Sequence, residues 1–239
     1  PLSDWDRLDT YMPPDPATTD GTFPLDWEGI AEGVRRRRKS GQLIAGGLPH
    51  GHTFLRLQDI RGYENLIFDM ADNRPELRRL IAMVEEFNYQ FVMRWMALEP
   101  DMMTYAEDLG MQVGPMLSPK HFRAYIKPVY ERLMKPARER GCIVHMHSDG
   151  DIRTLVDDLI DDGVEVINLQ DLVNGIDWIA ERFAGTTCVE LDIDRQAITP
   201  YGSPAQIDAL IREEVTKLGS KAGGLMMVGN YQRGAIDFM

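Results

Sequence analysis

Short apolar runs separated by long amphipathic ones recur along most of this sequence, and that alternation narrows the fold more than any other property. The runs QLIAGGL (42–48), MMTYAED (102–108), CIVHMHS (142–148), VEVINLQ (164–170), TCVELDI (187–193) and GLMMVGN (224–230) have the length and composition of buried strands. Between them, apolar residues return at helical spacing: Leu77, Leu80, Ile81, Val84, Phe87 and Phe91, then Ile152, Leu155, Val156, Leu159 and Ile160, then Ile207, Leu210, Ile211, Val215 and Leu218. Strands alternating with helices of this length predict a parallel sheet joined by right-handed crossovers. No glycine-rich phosphate loop follows any strand, which disfavours a nucleotide-binding sheet and favours a closed barrel. Six strands are readable, where a complete (β/α)8 barrel has about eight. The expected class is α/β, a (β/α)8 TIM barrel incomplete at its N-terminus.

Helix boundaries are written in caps and prolines. A helix is expected from Asp26 or Trp27 to Arg38, with the four arginines of RRRRKSG forming a solvated C-terminal end and Gly41 the stop. Ser118-Pro119 and Ser203-Pro204 each place a capping hydroxyl before a proline at the first helical position. Pro128 and Pro136 should kink or split the helical stretch 120–140. Residues 1–26, rich in Pro, Asp and Thr, read as an irregular lead-in, and 27–239 as one barrel domain.

Charge and cysteine usage exclude several function classes. With 26 Lys+Arg against 38 Asp+Glu, the net charge of -12 repels nucleic acid and anionic membranes. No run has the length of a transmembrane helix and no secretory signal is visible, so a cytoplasmic location is expected. Cys142 and Cys188 fall in separate strand-like runs and read as reduced core thiols.

The strand ends carry the chemistry. Alternation puts Ile143, His145 and His147 on one face of their strand and Cys142, Val144 and Met146 on the other. The second set is apolar, as a helix-facing side should be, so the histidines are expected to point into the barrel. The same test turns Glu190, Asp192 and Asp194 inward, and Tyr105 and Glu107 with them. Tyr105, Glu107, His147, Gln170 and Asp192 would then gather near the C-terminal rim, where barrel enzymes build their sites. Buried without partners, such groups cost several kcal/mol each, so they must satisfy one another, hold an ion or receive a ligand. A plug of mutually bonded polar side chains is the bland alternative, and His145, one layer deeper, fits it best. In HMHSDGD (145–151), Gly150 permits a tight turn and Asp151 suits the start of the next helix.

The succession EDLGMQVGPMLSPKHFRAYIKPVY, VHMHSDGDIRTLVDDLIDDGVEVINLQ, VELDIDRQAI, GSPAQI and GGLMMVGN resembles the uroporphyrinogen decarboxylase (URO-D) superfamily over residues 55–230. That group also holds zinc-dependent methyltransferases that move methyl groups between corrinoid and thiol. The resemblance implies the (β/α)8 barrel and places the superfamily's first strands upstream of Pro1. In the methyltransferase branch the turn reads His-x-Cys-Gly; here His147 matches, Asp149 stands in the thiolate position, and Asn230 lies near a later cysteine. Strand-end position and the resemblance together give Glu107, Asp108, His147 and Asp149 as the expected catalytic residues and Tyr105, Gln170, Asp192 and Asn230 as the expected substrate contacts. Zinc held by His147, Asp149 and Glu107 is chemically accessible, since zinc accepts imidazole nitrogen and carboxylate oxygen.

The function this implies is metal-assisted methyl transfer, with a corrinoid as co-substrate or a small methyl donor. The partners it admits are a corrinoid carrier protein and a second copy in a homodimer, with no nucleic acid and no membrane. Two alternatives stand beside it: a metal-free uroporphyrinogen-type decarboxylase, with Glu107 or Asp108 as proton donor, and a non-catalytic ligand-binding barrel.

Overall fold

The computed structural model describes residues 2 and 4–229. Six parallel strands form one sheet: β1 (Ala45–Gly47), β2 (Met102–Asp108), β3 (Ile143–Asp149), β4 (Val166–Gln170), β5 (Cys188–Asp192) and β6 (Leu225–Val228). Their spatial order is their chain order, β1 to β6. A doubly wound sheet reverses direction partway across, whereas every crossover here advances the same way, as in a barrel. The architecture is therefore α/β, with six strands of an incomplete (β/α)8 barrel among the described residues. Asn230 lies outside them.

Register sorts each strand into two faces. Thr104, Ala106 and Asp108 of β2 pair with His145, His147 and Asp149 of β3, and His147 in turn pairs with Asn168 of β4. Asn168 and Gln170 pair with Glu190 and Asp192 of β5. This polar set lines one face. The other face carries Met103, Tyr105, Val144, Met146, Ile167, Leu169, Val189 and Leu191, all buried in one apolar cluster with the surrounding helices.

The helices begin and end as their sequences require. Asp26 accepts from the N–H groups of Glu28 and Gly29 to open Trp27–Lys39. Ser203 opens Pro204–Leu218 with a capping box closed by Gln206. Pro128 divides the 120–140 stretch: a short helix, Pro119–His121, runs into a π turn over Phe122–Ile126, and Lys127–Glu139 follows. Lacking an N–H, Pro128 cannot make the i to i−4 bond, and the widened turn absorbs that loss. Pro136, in contrast, stays inside the second helix, where Val129, Tyr130, Leu133, Met134 and Ala137 are buried around it.

The lead-in is irregular but docked. Leu8 is buried in the short 3-10 turn Trp5–Thr10, and the Trp5 ring lies under the Arg61 guanidinium at 4.3 Å. No helix among the described residues is long and apolar enough to cross a membrane.

Candidate functional site

His147 is the centre of the polar rim, and its environment fixes which nitrogen is available. Asn168 donates its amide N–H to the Glu190 carbonyl at 2.9 Å, which turns its Oδ1 toward His147 Nδ1. An amide oxygen only accepts, so Nδ1 carries the proton and Nε2 is left with a lone pair in the neutral ring. Nε2 lies 3.6 Å from Asp108 Oδ1 and 3.8 Å from Asp149 Oδ1. Residues from four neighbouring strands, β2 to β5, distant in sequence, are brought together here by parallel register.

Two cationic or cation-capable groups join from loops. His50, just beyond β1, sets Nε2 at 3.2 Å from Asp108 Oδ1, with its ring centroid 5.8 Å from that of His147. Arg195, just beyond β5, places NH2 at 2.5 Å from both oxygens of Asp149 and NH1 at 3.5 Å from Asp192. Gln170 points into the same rim, where its Oε1 accepts from the Gly150 N–H at 2.9 Å and holds the β3 turn closed. Gly150 has φ +81 and packs directly against Gly110, so the loops after β2 and β3 cross backbone to backbone, where any Cβ would collide. One layer deeper, His145 Nε2 meets Glu190 Oε2 at 2.7 Å.

Electrostatics separates the carboxyls. For Asp108, burial acts to raise the pKa, but the contact with His147, the charge of His50 and the Asp149 N–H bring it down to about 2. Burial acts to lower His147, but its contacts with Asp108 and Asn168 and the charges of Asp149 and Asp108 raise it overall. Burial raises Asp149 against the pull of Arg195. The stabilisation from His147 is complete below its unfolded value of about 6.5 and is lost as pH rises through the higher folded value. That from Asp108 is present above about 3.9 and is lost as pH falls toward its folded value. The pair is therefore strongest between those limits. We expect the His147 ring to titrate above the ordinary histidine range by NMR and Asp108→Asn to return it downward. An unchanged titration in that variant would remove Asp108 from the account.

Two expected site residues face the other way. Tyr105 is fully buried on the helix side of β2, where its hydroxyl donates to the Leu133 carbonyl at 3.0 Å. Glu107 is also fully buried on that side and accepts from the N–H groups of Thr53, Phe54 (3.1 Å) and Leu55 (3.2 Å), at the start of the helix Phe54–Arg61. Burial pushes its carboxyl up to about 8 while those three N–H groups pull against it. Their placement is thus corrected: Tyr105 and Glu107 lie on the helix side of β2, away from the rim around His147. Asp194, also expected inward, accepts instead from the N–H groups of Gln196, Ala197 and Ile198. The helix after β3 starts at Val156, and Asp151 ties the preceding turn to Arg153 and Gly114.

His50, Asn168 and Arg195 are the site residues that sequence reasoning missed. The strand-end rule applied to QLIAGGL would have reached PHGH, and alternation along VEVINLQ places Asn168 on the face of Gln170. Among the described residues, two groups could hold a metal ion: His50, Asp108 and His147, and His147, Asp149 and Asp192, the donor atoms of each lying within 4.8 Å of one another. Both combine imidazole nitrogen with carboxylate oxygen, a donor set that suits zinc and its neighbours.

A parallel barrel sheet with imidazole and carboxylates gathered at the C-terminal ends of its strands is the form of a barrel enzyme site. The chain matches the family model described as Uroporphyrinogen decarboxylase (URO-D) over residues 56–229 and belongs to that family. Its fold is similar to that of a methyltransferase from Methanosarcina mazei, with TM-score 0.66 and 16% identity. That likeness covers 93% of this chain and 62% of the methyltransferase, so the chain spans less than two thirds of that protein's length. A D-psicose 3-epimerase crystallised in the presence of D-fructose is also similar in fold, with TM-score 0.50 and 9% identity over 95% of this chain and 73% of the epimerase. No curated protein matches the chain in sequence.

Proposed function

We propose that this chain is a metal-assisted methyltransferase of the URO-D superfamily, acting on a small molecule with a corrinoid as the other reactant. The carrying observation is His147: Asn168 occupies Nδ1, and Nε2 faces Asp108 and Asp149 at the open end of the sheet. That arrangement is how metal-ligating histidines are oriented by a second hydrogen bond. A bound divalent ion would supply Lewis acidity, lowering the pKa of the acceptor's reacting group.

The chain's own residues would do the rest. Asn168 holds the imidazole in the tautomer that leaves Nε2 free. Asp108, kept ionised by the histidines beside it, would offer a carboxylate oxygen to the ion. Arg195 offsets the charge of Asp149 and Asp192, and the exposed part of its guanidinium can orient an anionic group of the substrate. The acid-rich rim favours a neutral or cation-bound substrate over a polycarboxylate one, which supports this reading over the decarboxylase.

The test is the metal content of untagged protein purified without chelators, measured by elemental mass spectrometry, beside methyl transfer from methylcobalamin followed by the cobalt spectrum. The expected result is about one divalent ion per chain, with at least a tenfold weaker hold on it in His147→Ala. Metal-free protein that still decarboxylates a porphyrinogen would replace this reading with the alternative.

A further inference from the structure

We propose that His50 is a metal ligand and that the ion sits between His50, Asp108 and His147 rather than on Asp149 and Asp192. The inference rests on the metal-assisted reading above and specifies its site. Both three-residue groups share His147, so the question is which neighbours complete it.

Geometry favours His50. Tetrahedral zinc at about 2.0–2.1 Å from its ligands sets them roughly 3.3 Å apart. Asp108 Oδ1 lies 3.2 Å from His50 Nε2 and 3.6 Å from His147 Nε2, close to those edges without rearrangement. Three protein ligands would leave a fourth position for substrate, the pattern of catalytic zinc rather than structural zinc.

Charge favours the same choice. Both oxygens of Asp149 already hold Arg195 NH2, and Asp192 lies near NH1, so an ion there would have to displace a guanidinium. Asp108 has no Lys or Arg partner among the described residues; its ion-pair neighbours are His50 and His147.

The loop bearing His50 is also preorganised. Leu48 and Gly51 donate to the Thr104 and Ala106 carbonyls of β2 at 3.0 and 2.8 Å, and Asn88 donates to the His52 carbonyl at 2.7 Å. Gly51, at φ +73, makes the sharp turn that sends the two histidines of His50-Gly51-His52 to opposite sides. His52 is buried among Tyr105 and Tyr130, while His50 stays exposed at the mouth. The spacing thus gives one structural and one solvent-reachable imidazole.

The test strips the full chain with a chelator and titrates it with Co(II), reading the visible d–d bands, with Zn(II) competition for affinity. Wild type and Asp149→Asn are expected to bind one ion with affinities within about threefold of each other, and His50→Ala at least about tenfold more weakly. His50→Cys should bind Co(II) with a new thiolate-to-cobalt charge-transfer band, a signal that appears only if position 50 coordinates. Unaltered affinity in His50→Ala, with loss in Asp149→Asn and no new band in His50→Cys, would overturn the inference and leave the metal reading standing. Wild type that binds no ion would overturn both. Since His50 is exposed, its truncation should leave the melting temperature unchanged, which keeps a folding defect from imitating ligand loss.

Discussion

Glu107→Ala is expected to lower the melting temperature by about 10 °C and to leave metal content untouched. The helix Phe54–Arg61 has no side-chain cap of its own; Thr53 at its N-cap position makes no such bond. Its first N–H groups, from Thr53, Phe54 and Leu55, are satisfied by Glu107 reaching across from β2. Removing the carboxyl strands two buried donors, at about 1–3 kcal/mol each, and one half-buried donor, and opens a void, so a loss on the order of 4 kcal/mol is expected. Glu107→Gln keeps one acceptor oxygen but turns an NH2 group on donors, and should cost less than Glu107→Ala. A metal-ligand role predicts the reverse pattern: a stable fold with the ion gone. Thermal melts and elemental analysis of the same two variants separate the outcomes, and an unshifted melt would sink the capping role.

Glu107 also shows where reading the sequence stops. The six strands were legible because each is a short apolar run ended by polar residues, and all six occur close to their expected bounds. His147 was legible for a second reason: the opposite face of β3 is led by apolar Val144 and Met146, so the inside was readable. In β2 alternation groups Met103, Tyr105 and Glu107 on one face but does not say which way that face looks. The apolar pair decides it, and Glu107 travels with them into the helix layer because a helix N-terminus is there to receive a carboxylate. Nothing local in MMTYAED announces that receiver, 52 to 54 residues earlier in the chain. The pairing of Asp149 with Arg195 across 46 residues is hidden for the same reason. It joins the end of β3 to the loop after β5, across the intervening β4, a spatial order that a single sequence does not display.

Glu214→Gln should stabilise the protein at pH 9 and do almost nothing at pH 4. Glu214 lies fully buried on the helix Pro204–Leu218, its oxygens find no donor among the described residues, and it faces the Asp171 carboxyl. Asp171 accepts from the N–H groups of Leu172 (2.5 Å) and Asp194 (2.8 Å), so of the two it is better equipped to stay ionised. Two buried carboxyls in contact cannot both be charged cheaply, and the proton goes to Glu214. Burial, then Asp171, push it up to about 8. Unfolded, the same group titrates near about 4.3. Between those values the native state binds more protons than the unfolded one, so stability declines as pH rises, and beyond the upper value the loss is complete. Glutamine is neutral throughout and still offers an N–H to Asp171. The gain at pH 9 should be on the order of 2 kcal/mol, a rise of about 4–8 °C. Melts at both ends of the range decide it: an equal shift at pH 4 and pH 9 would mean that packing is responsible, and a fall at pH 9 would mean that Glu214 is held there as a charge.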